Sequence, residues 1–145
     1  MRRVLLIVVI AAFATAGLGA GEAMAAKKGA KLKVAGSDYG RVLMTKGDMA
    51  LYLFTKDGKG PSDCYGDCAV AWPPLLTKGK PVAGRGVEPR KLGSTRRSDG
   101  SRQVTYGGHP VYRYVHDRPG EIFCQDVFEF DGTWLLVNAA AKAVR

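Results

Sequence analysis

The chain has 145 residues and a formal net charge of +9, with 46% hydrophobic and 24% charged residues. This length bounds it to one domain, and the composition excludes disordered and collagen-like proteins. A domain of this size buries only about two thirds of its unfolded surface, so covalent staples would help it.

The first 25 residues are typical of a signal peptide. Arg2 and Arg3 precede an uncharged stretch from Val4 to Gly21, and small residues lead to a cleavage site after Ala25. A membrane anchor is the alternative, because this stretch approaches the roughly 20 residues that span a bilayer. We favour cleavage, which predicts a periplasmic or secreted domain of residues 26–145 without a transmembrane segment.

An internal repeat appears when the chain is compared with itself at an offset of 60 residues. Two residues inserted in the second copy also bring Trp72 opposite Trp134. We therefore predict repeat 1 at about 34–77, a connector at 78–93, and repeat 2 at about 94–138. The identities at this offset are Gly40/Gly100, Thr45/Thr105, Gly47/Gly107, Tyr52/Tyr112, Asp57/Asp117, Gly60/Gly120 and Cys64/Cys124.

Short β-strands separated by turn residues are predicted throughout both repeats. A single short helix is predicted from Asp67 to Trp72, because Pro73 and Pro74 end it. The predicted fold is mainly β, a small sandwich or barrel-like domain made from two pseudo-symmetric β repeats. The predicted hairpins pair 41–45 with 50–55, 103–106 with 110–115, and 128–130 with 133–137, with bends at Lys46-Gly47-Asp48, Gly107-Gly108 and Asp131-Gly132.

Positive charge is concentrated between the repeats. Eight basic and two acidic residues lie between Lys78 and Arg102. One interpretation is a solvated loop that aids solubility. The other is a surface that attracts an anionic envelope surface or an acidic partner protein, with Arg96, Arg97 and Arg102 as candidates. Export makes nucleic acid a poor physiological target despite the basic composition.

Each repeat carries one copy of an aromatic and acidic motif. The copies are Tyr52-x-Phe54-x-x-Asp57 and Tyr112-x-Tyr114-x-x-Asp117. Residues two apart on a strand point to the same face, so each copy places two rings side by side. The rings could pack in the core while each Asp caps a turn near Gly58 or Gly120. Alternatively, the Tyr and Asp residues could form a ligand-binding or redox-active surface.

The chain resembles a family of bacterial secreted-repeat proteins, often lipoproteins, described by a Yx(FWY)xxD motif. The resemblance implies repeats and export but no particular activity. A lipidation Cys after the signal peptide is missing, which favours a periplasmic or released protein. The matching segments are 49–57, Cys64-Tyr-Gly-Asp-Cys-Ala69, Trp72-Pro-Pro-Leu75, 97–106 and Gly108-His-Pro-Val-Tyr112.

The three cysteines leave the disulfide pattern open. Cys64 and Cys68 could close a tight local loop, with little entropic gain because the loop is short. A bridge from Cys124 to either of them would close a loop of about 60 residues and stabilise more. All three could also remain reduced. An odd number leaves one thiol without an internal partner.

Metal binding is the main functional alternative. His109, His116 and Cys124, with Met44 or Met49, provide ligand types that suit copper. No local cluster of cysteines or histidines accompanies them.

The predicted function is an exported, non-enzymatic binding or structural module of the bacterial cell envelope. The first alternative is a periplasmic copper-binding or redox-linked protein. A weaker one is a hydrolase in which Asp57 and Asp117 act as acid and base. No G-x-S-x-G nucleophile motif or phosphate-binding loop is present.

Overall fold

A computed structural model describes residues 27–145 of the protein. The predicted signal peptide lies outside the described residues. No helix within 27–145 is long and apolar enough to cross a membrane.

The described chain is mainly β, as the sequence predicted. It contains three three-stranded sheets with the strand orders β2-β1-β4, β3-β9-β8 and β5-β6-β7. Isolated backbone bridges connect these sheets, for example Val42 with Asn138, and within residues 27–145 the arrangement is sandwich-like rather than a closed barrel. The elements are β1 Lys31–Ser37, β2 Gly40–Thr45, β3 Tyr52–Phe54, α1 Asp67–Ala71, β4 Val82–Ala83, a 3-10 turn Pro89–Lys91, β5 Leu92–Arg96, β6 Arg102–Tyr106, β7 His109–Pro110, β8 Val127–Glu129 and β9 Gly132–Leu136.

Two hydrophobic clusters form the core, one on each face of a central layer of strands. Val42 and Met44 of β2 belong to one cluster, whereas Leu43 between them belongs to the other. Leu136 and Val137 divide in the same way. Because neighbouring side chains point to opposite faces of a strand, a strand buried on both faces has a continuous apolar sequence.

The two repeats are interlocked rather than placed side by side. Strand β3 of repeat 1 pairs with β9 of repeat 2, so that Tyr52 lies opposite Leu136. The backbone N–H groups of Tyr52 and Tyr112 each donate to the other residue's carbonyl, at 2.9 and 3.1 Å. The two motif strands are therefore neighbours.

The first predicted hairpin forms only next to its bend. A single bridge joins Met44 to Ala50 around the predicted bend. Strand β2 pairs along its length with β1, from Leu32 opposite Thr45 to the turn. Strand β3, which follows the bend, pairs with β9 of repeat 2 instead.

The other two predicted hairpins are present. Gly107 and Gly108 make the β6–β7 turn with positive φ angles of 61° and 89°. The β8–β9 turn uses Phe130 and Asp131, with φ of 57° and 63°, one residue before the predicted bend. Gly132 begins β9 instead, and a Cβ atom there would overlap the ring of Phe54.

The basic connector contains short regular elements, and its basic side chains are exposed except for the half-buried Lys91. Its strand β4 runs parallel to β1, and its end continues through the 3-10 turn into β5. Gly29 and Gly79 allow the first described residues to pass close to the connector, since a Cβ atom on either would overlap the backbone of the other segment. Helix α1 ends at Ala71, before the two prolines as predicted.

Candidate functional site

Each motif tyrosine donates a hydrogen bond to the aspartate of the other motif. The Tyr52 hydroxyl donates to Asp117 Oδ2 at 2.6 Å, and the Tyr112 hydroxyl donates to Asp57 Oδ2. Each tyrosine is thus bound by the aspartate of the other repeat. The adjacent motif strands create this crossing.

The second oxygen of each aspartate holds the loop that follows it. Asp57 Oδ1 accepts from the backbone N–H of Asp63 at 2.7 Å, and Asp117 Oδ1 accepts from that of Phe123 at 2.8 Å. Both donors lie six residues after the aspartate, rather than near Gly58 or Gly120. The carboxylates therefore connect the repeats and also fix equivalent loops.

Burial controls the protonation of these groups. Tyr52 and Tyr112 are fully buried, and Asp57 and Asp117 are 6% and 7% exposed. Burial raises the pKa of both carboxyl groups, and the tyrosine hydrogen bonds partly oppose that rise. Burial and then the hydrogen bond to aspartate raise the pKa of both tyrosines far above the ordinary value. Both hydroxyls consequently remain donors at neutral pH.

Alkaline pH should unfold the protein before these two tyrosines ionise. Because their pKa is raised on folding, the stability that they contribute is complete below about pH 10 and is lost as the pH rises further. We expect part of the tyrosinate absorbance near 295 nm to appear together with loss of near-ultraviolet circular dichroism. Tyr52→Phe should remove one tyrosine from that step. Ionisation of Tyr52 in protein with intact dichroism would contradict this assignment.

Four aromatic rings form a stack across the two repeats. Trp72 and Trp134 lie at its centre, with ring centroids 4.2 Å apart and planes 3° from parallel. Phe54 covers Trp134 at 4.1 Å, and Tyr114 covers Trp72 at 4.6 Å. Each outer ring belongs to the opposite repeat from the tryptophan it covers.

The crossed tyrosines and one acidic residue complete the aromatic core. Tyr52 meets Trp72 edge-on at 5.2 Å, and Tyr112 meets Trp134 edge-on at 5.1 Å. The indole N–H of Trp72 donates to Glu129 Oε2 at 2.9 Å, and that of Trp134 donates to the Glu129 carbonyl at 3.3 Å. These buried indole donors therefore have acceptors, as buried polar groups require.

The motif residues occupy the interior rather than an open surface. Tyr114 is half-buried, and the other five are buried. Both oxygens of each aspartate already accept hydrogen bonds from the protein. This geometry favours the core interpretation of the motif over a ligand surface or an exposed acid and base pair.

Arg97 is also inside the protein and is not available to an external anion. It is 4% exposed, and its guanidinium donates to Ser62 Oγ at 2.9 Å and Gln103 Oε1 at 2.7 Å. It also donates to the Cys64 carbonyl at 2.8 Å and lies 4.3 Å over the Tyr65 ring. Composition places this charge in the basic segment, but its contacts give it a structural role.

Exposed basic residues instead gather around two adjoining cavities, which we call the basic cleft. The cavities have volumes of about 570 and 420 Å³, and Lys78 and Arg102 line both. Lys27 lines one and Lys80 the other. No Asp or Glu lines either cavity. Ser94 accepts a 2.7 Å hydrogen bond from Arg102 and orients it.

Comparison with known families identifies the repeats. The family model of a secreted repeat of unknown function matches residues 33–76 and 93–138.

The chain belongs to this secreted-repeat family. The matched segments agree with the two repeats predicted from the sequence, and they contain both motifs and both tryptophans. No curated protein and no solved structure matches the chain. Lys27, Lys78 and Lys80 of the basic cleft lie outside the matched secreted repeats, whereas Arg102 lies inside the second.

The first secreted repeat contains the disulfide. Cys64 and Cys68 are bonded, with Cα atoms 5.3 Å apart, as the local pairing predicted. Cys124 of the second repeat is a half-buried free thiol, and burial raises its pKa. Interaction with this thiol raises the pKa of Tyr114 to about 12. The cross-repeat bridge is therefore absent, and the equivalent cysteines of the two repeats differ, since Cys64 is bonded to Cys68 and Cys124 is free.

The two histidines of the second secreted repeat do not belong to a group of metal-binding side chains. His109 is half-buried in β7, and His116 is exposed with its ring edge-on to Tyr114 at 5.3 Å. In the part of the chain that the structure describes, no three His, Cys, Asp or Glu residues are grouped to hold a metal ion. The structure does not bring His109, His116 and Cys124 together as three ligands.

Proposed function

We propose that this secreted-repeat protein is an exported, non-enzymatic binding module of the bacterial cell envelope. Its basic cleft binds phosphate or carboxylate groups on an anionic envelope surface. The observation that carries this proposal is the meeting of four exposed cations, without a lining carboxylate, at cavities that share Lys78 and Arg102.

The chemistry of the cleft suits anionic groups. A guanidinium can bind phosphate or carboxylate with two parallel hydrogen bonds, and lysine supplies a mobile point charge. None of the four cations pairs with a carboxylate among the described residues. Exposed Leu76 adds an apolar contact beside Lys78. An anionic surface would therefore attract this face of the molecule from a distance.

The rest of the molecule supports a binding role rather than catalysis. The motif carboxylates are buried and engaged, and they act between the repeats. The sequence features of the first 25 residues support export to the periplasm or beyond. In this proposal the secreted repeats form a rigid core, and Lys78 and Lys80 of the connector form the recognition surface together with Lys27 and Arg102.

Binding to anionic vesicles tests the proposal. We expect the exported protein to co-sediment with vesicles containing phosphatidylglycerol but not with purely zwitterionic ones. Near such a surface each basic residue contributes about 1 kcal/mol. The triple variant Lys78→Gln, Lys80→Gln, Arg102→Gln should therefore bind roughly a hundredfold more weakly. Raising the salt concentration should weaken binding of the unmodified protein.

A charge-matched variant controls for net charge. Lys46, Lys59 and Lys142 are exposed and do not line the cleft. Their triple Gln variant should lose much less affinity than the cleft variant. Equal losses in the two variants, or no loss in the cleft variant, would refute the role of the cleft.

A further inference from the structure

A second cavity lies on a different part of the surface, between the turn joining β1 to β2 and the loop 120–123. Its volume is about 570 Å³, within the range of small-ligand sites. The residues that line it include the aromatic Tyr39 and Phe123 and the acidic Asp38 and Glu121. No Lys or Arg lines this cavity.

The pseudo-symmetric counterpart of this place lies between the turn joining β5 to β6 and the loop that contains Ser62, and it is filled by the chain's own arginine. The turn joining β5 to β6 inserts Arg97 toward the loop that contains Ser62. The corresponding stretch of the β1–β2 turn is Gly36-Ser37, with Ser37 sixty residues before Arg97. A Cβ atom added to Gly36 would meet nothing within 4 Å. One of the two pseudo-symmetric places thus contains a buried guanidinium, whereas the other is an open cavity.

The walls of the cavity suit a cation carried on an apolar stem. The side chains of Tyr39 and Phe123 are exposed hydrophobic surface, 44% and 59% accessible. Aromatic faces attract cations, and an alkyl stem can cover apolar surface while its charged end remains near water. Carboxylates at Asp38 and Glu121 would pair with that charged end.

The side chain of Arg118 already lies near one ring and one carboxylate of the residues that line the cavity. The guanidinium of Arg118 lies 5.9 Å from the ring centroid of Phe123, and its Nη1 is 3.9 Å from Glu121 Oε2. Its side chain is 75% exposed and does not line the cavity. The same ring and carboxylate therefore already interact with a guanidinium at the edge of the site.

The crossed motif holds one wall of the cavity in place. Asp117 accepts the backbone N–H of Phe123, and the Tyr52 hydroxyl fixes Asp117 in turn. The β1–β2 turn forms the opposite wall, where Ser37 Oγ accepts the N–H of Tyr39 at 3.2 Å and donates to the Gly40 carbonyl at 2.9 Å. Both walls are thus preorganised by hydrogen bonds.

We propose that this cavity binds an alkylguanidinium or alkylammonium group, as carried by an arginine or lysine side chain. The alkyl stem packs against Tyr39 and Phe123, and the cation pairs with Asp38 and Glu121. This site is separate from the basic cleft and does not depend on the function proposed for it.

Titration with N-butylguanidinium, monitored by amide NMR shifts of the exported protein, tests the proposal. We expect saturable shifts centred on 36–39 and 120–123, and weaker binding of uncharged N-butylurea. Two exposed ion pairs contribute about 1–2 kcal/mol together, so Asp38→Asn with Glu121→Gln should weaken binding roughly tenfold. Gly36→Arg should abolish binding by placing a tethered guanidinium at the cavity, since a Cβ atom at this lining position meets nothing within 4 Å.

A matched pair of exposed carboxylates provides the control. Asp126→Asn with Asp131→Asn removes the same charge away from the cavity, and Asn tolerates the positive φ at both positions. This variant should bind like the unmodified protein. Equal binding of N-butylurea, or unchanged binding after the Asp38 and Glu121 substitutions, would overturn the proposal. Comparing free arginine with a blocked arginine pentapeptide then distinguishes a small-molecule source from a polypeptide.

Discussion

Replacing Trp134 with Ala is expected to lower the free energy of unfolding by about 3–5 kcal/mol. Trp134 is fully buried and stacks on Trp72 and Phe54 from the other repeat. Truncation would remove these contacts together with the edge contact of Tyr112. Because the stack joins the repeats, a cavity there weakens both halves of the molecule.

Urea unfolding followed by far-ultraviolet circular dichroism measures this loss without depending on tryptophan emission. Phe128→Ala is the control, since Phe128 is 73% exposed and its replacement should change stability by no more than about 0.5 kcal/mol. Trp134→Phe should fall between the two, because it keeps an aromatic ring. A loss below about 1 kcal/mol for Trp134→Ala would show that the stack is not a major support.

Asp117→Ala is expected to have the next largest effect, about 2–3 kcal/mol. It leaves the Tyr52 hydroxyl and the Phe123 N–H without their acceptor, and an unsatisfied buried donor costs about 1–3 kcal/mol. Relief of burying the carboxylate, whose pKa burial raises, offsets part of this cost. The effect should extend to the loop 120–123, which lines the cavity proposed to bind a cation.

The same urea measurement checks this prediction, with Asp63→Ala as the control. Asp63 is exposed, and its backbone N–H, which Asp57 accepts, survives the substitution. Its stability should therefore remain within about 0.5 kcal/mol of the unmodified protein. Similar stability of the Asp117 and Asp63 variants would show that the buried carboxylate does not support the fold.

The repeat and the β class could be predicted because both leave a direct pattern in the amino-acid sequence. The offset of 60 residues identifies equivalent positions, and alternating strands and turns identify β structure. The crossing of the motifs could not be predicted, because Tyr52 is equally compatible with either aspartate until strand order is known. That order depends on β3 pairing with β9, a contact between residues about 80 positions apart.

Composition located the basic segment but could not separate buried from exposed charge. Arg97 is buried by Ser62 and Gln103, which lie on different segments, and no local pattern marks that contact. The cavity between the β1–β2 turn and the loop 120–123 does have a counterpart in the repeat comparison. Ser37 stands opposite Arg97 at the offset of 60, and Ile122 stands opposite Ser62. Because both partners of the buried Arg97 and Ser62 pair are replaced at the equivalent positions, the space that Arg97 fills is not filled in the same way there.

A double-mutant cycle between Tyr52→Phe and Asp117→Ala tests the crossed motif most directly. Asp117 is the hydrogen-bond acceptor of the Tyr52 hydroxyl, whereas no hydrogen bond joins Tyr52 to Asp57 of its own repeat. The crossed cycle should give a coupling energy of roughly 1–3 kcal/mol, and the Tyr52 and Asp57 cycle should stay within about 0.5 kcal/mol of zero. Coupling confined to the pair within one repeat would contradict the interlocked arrangement.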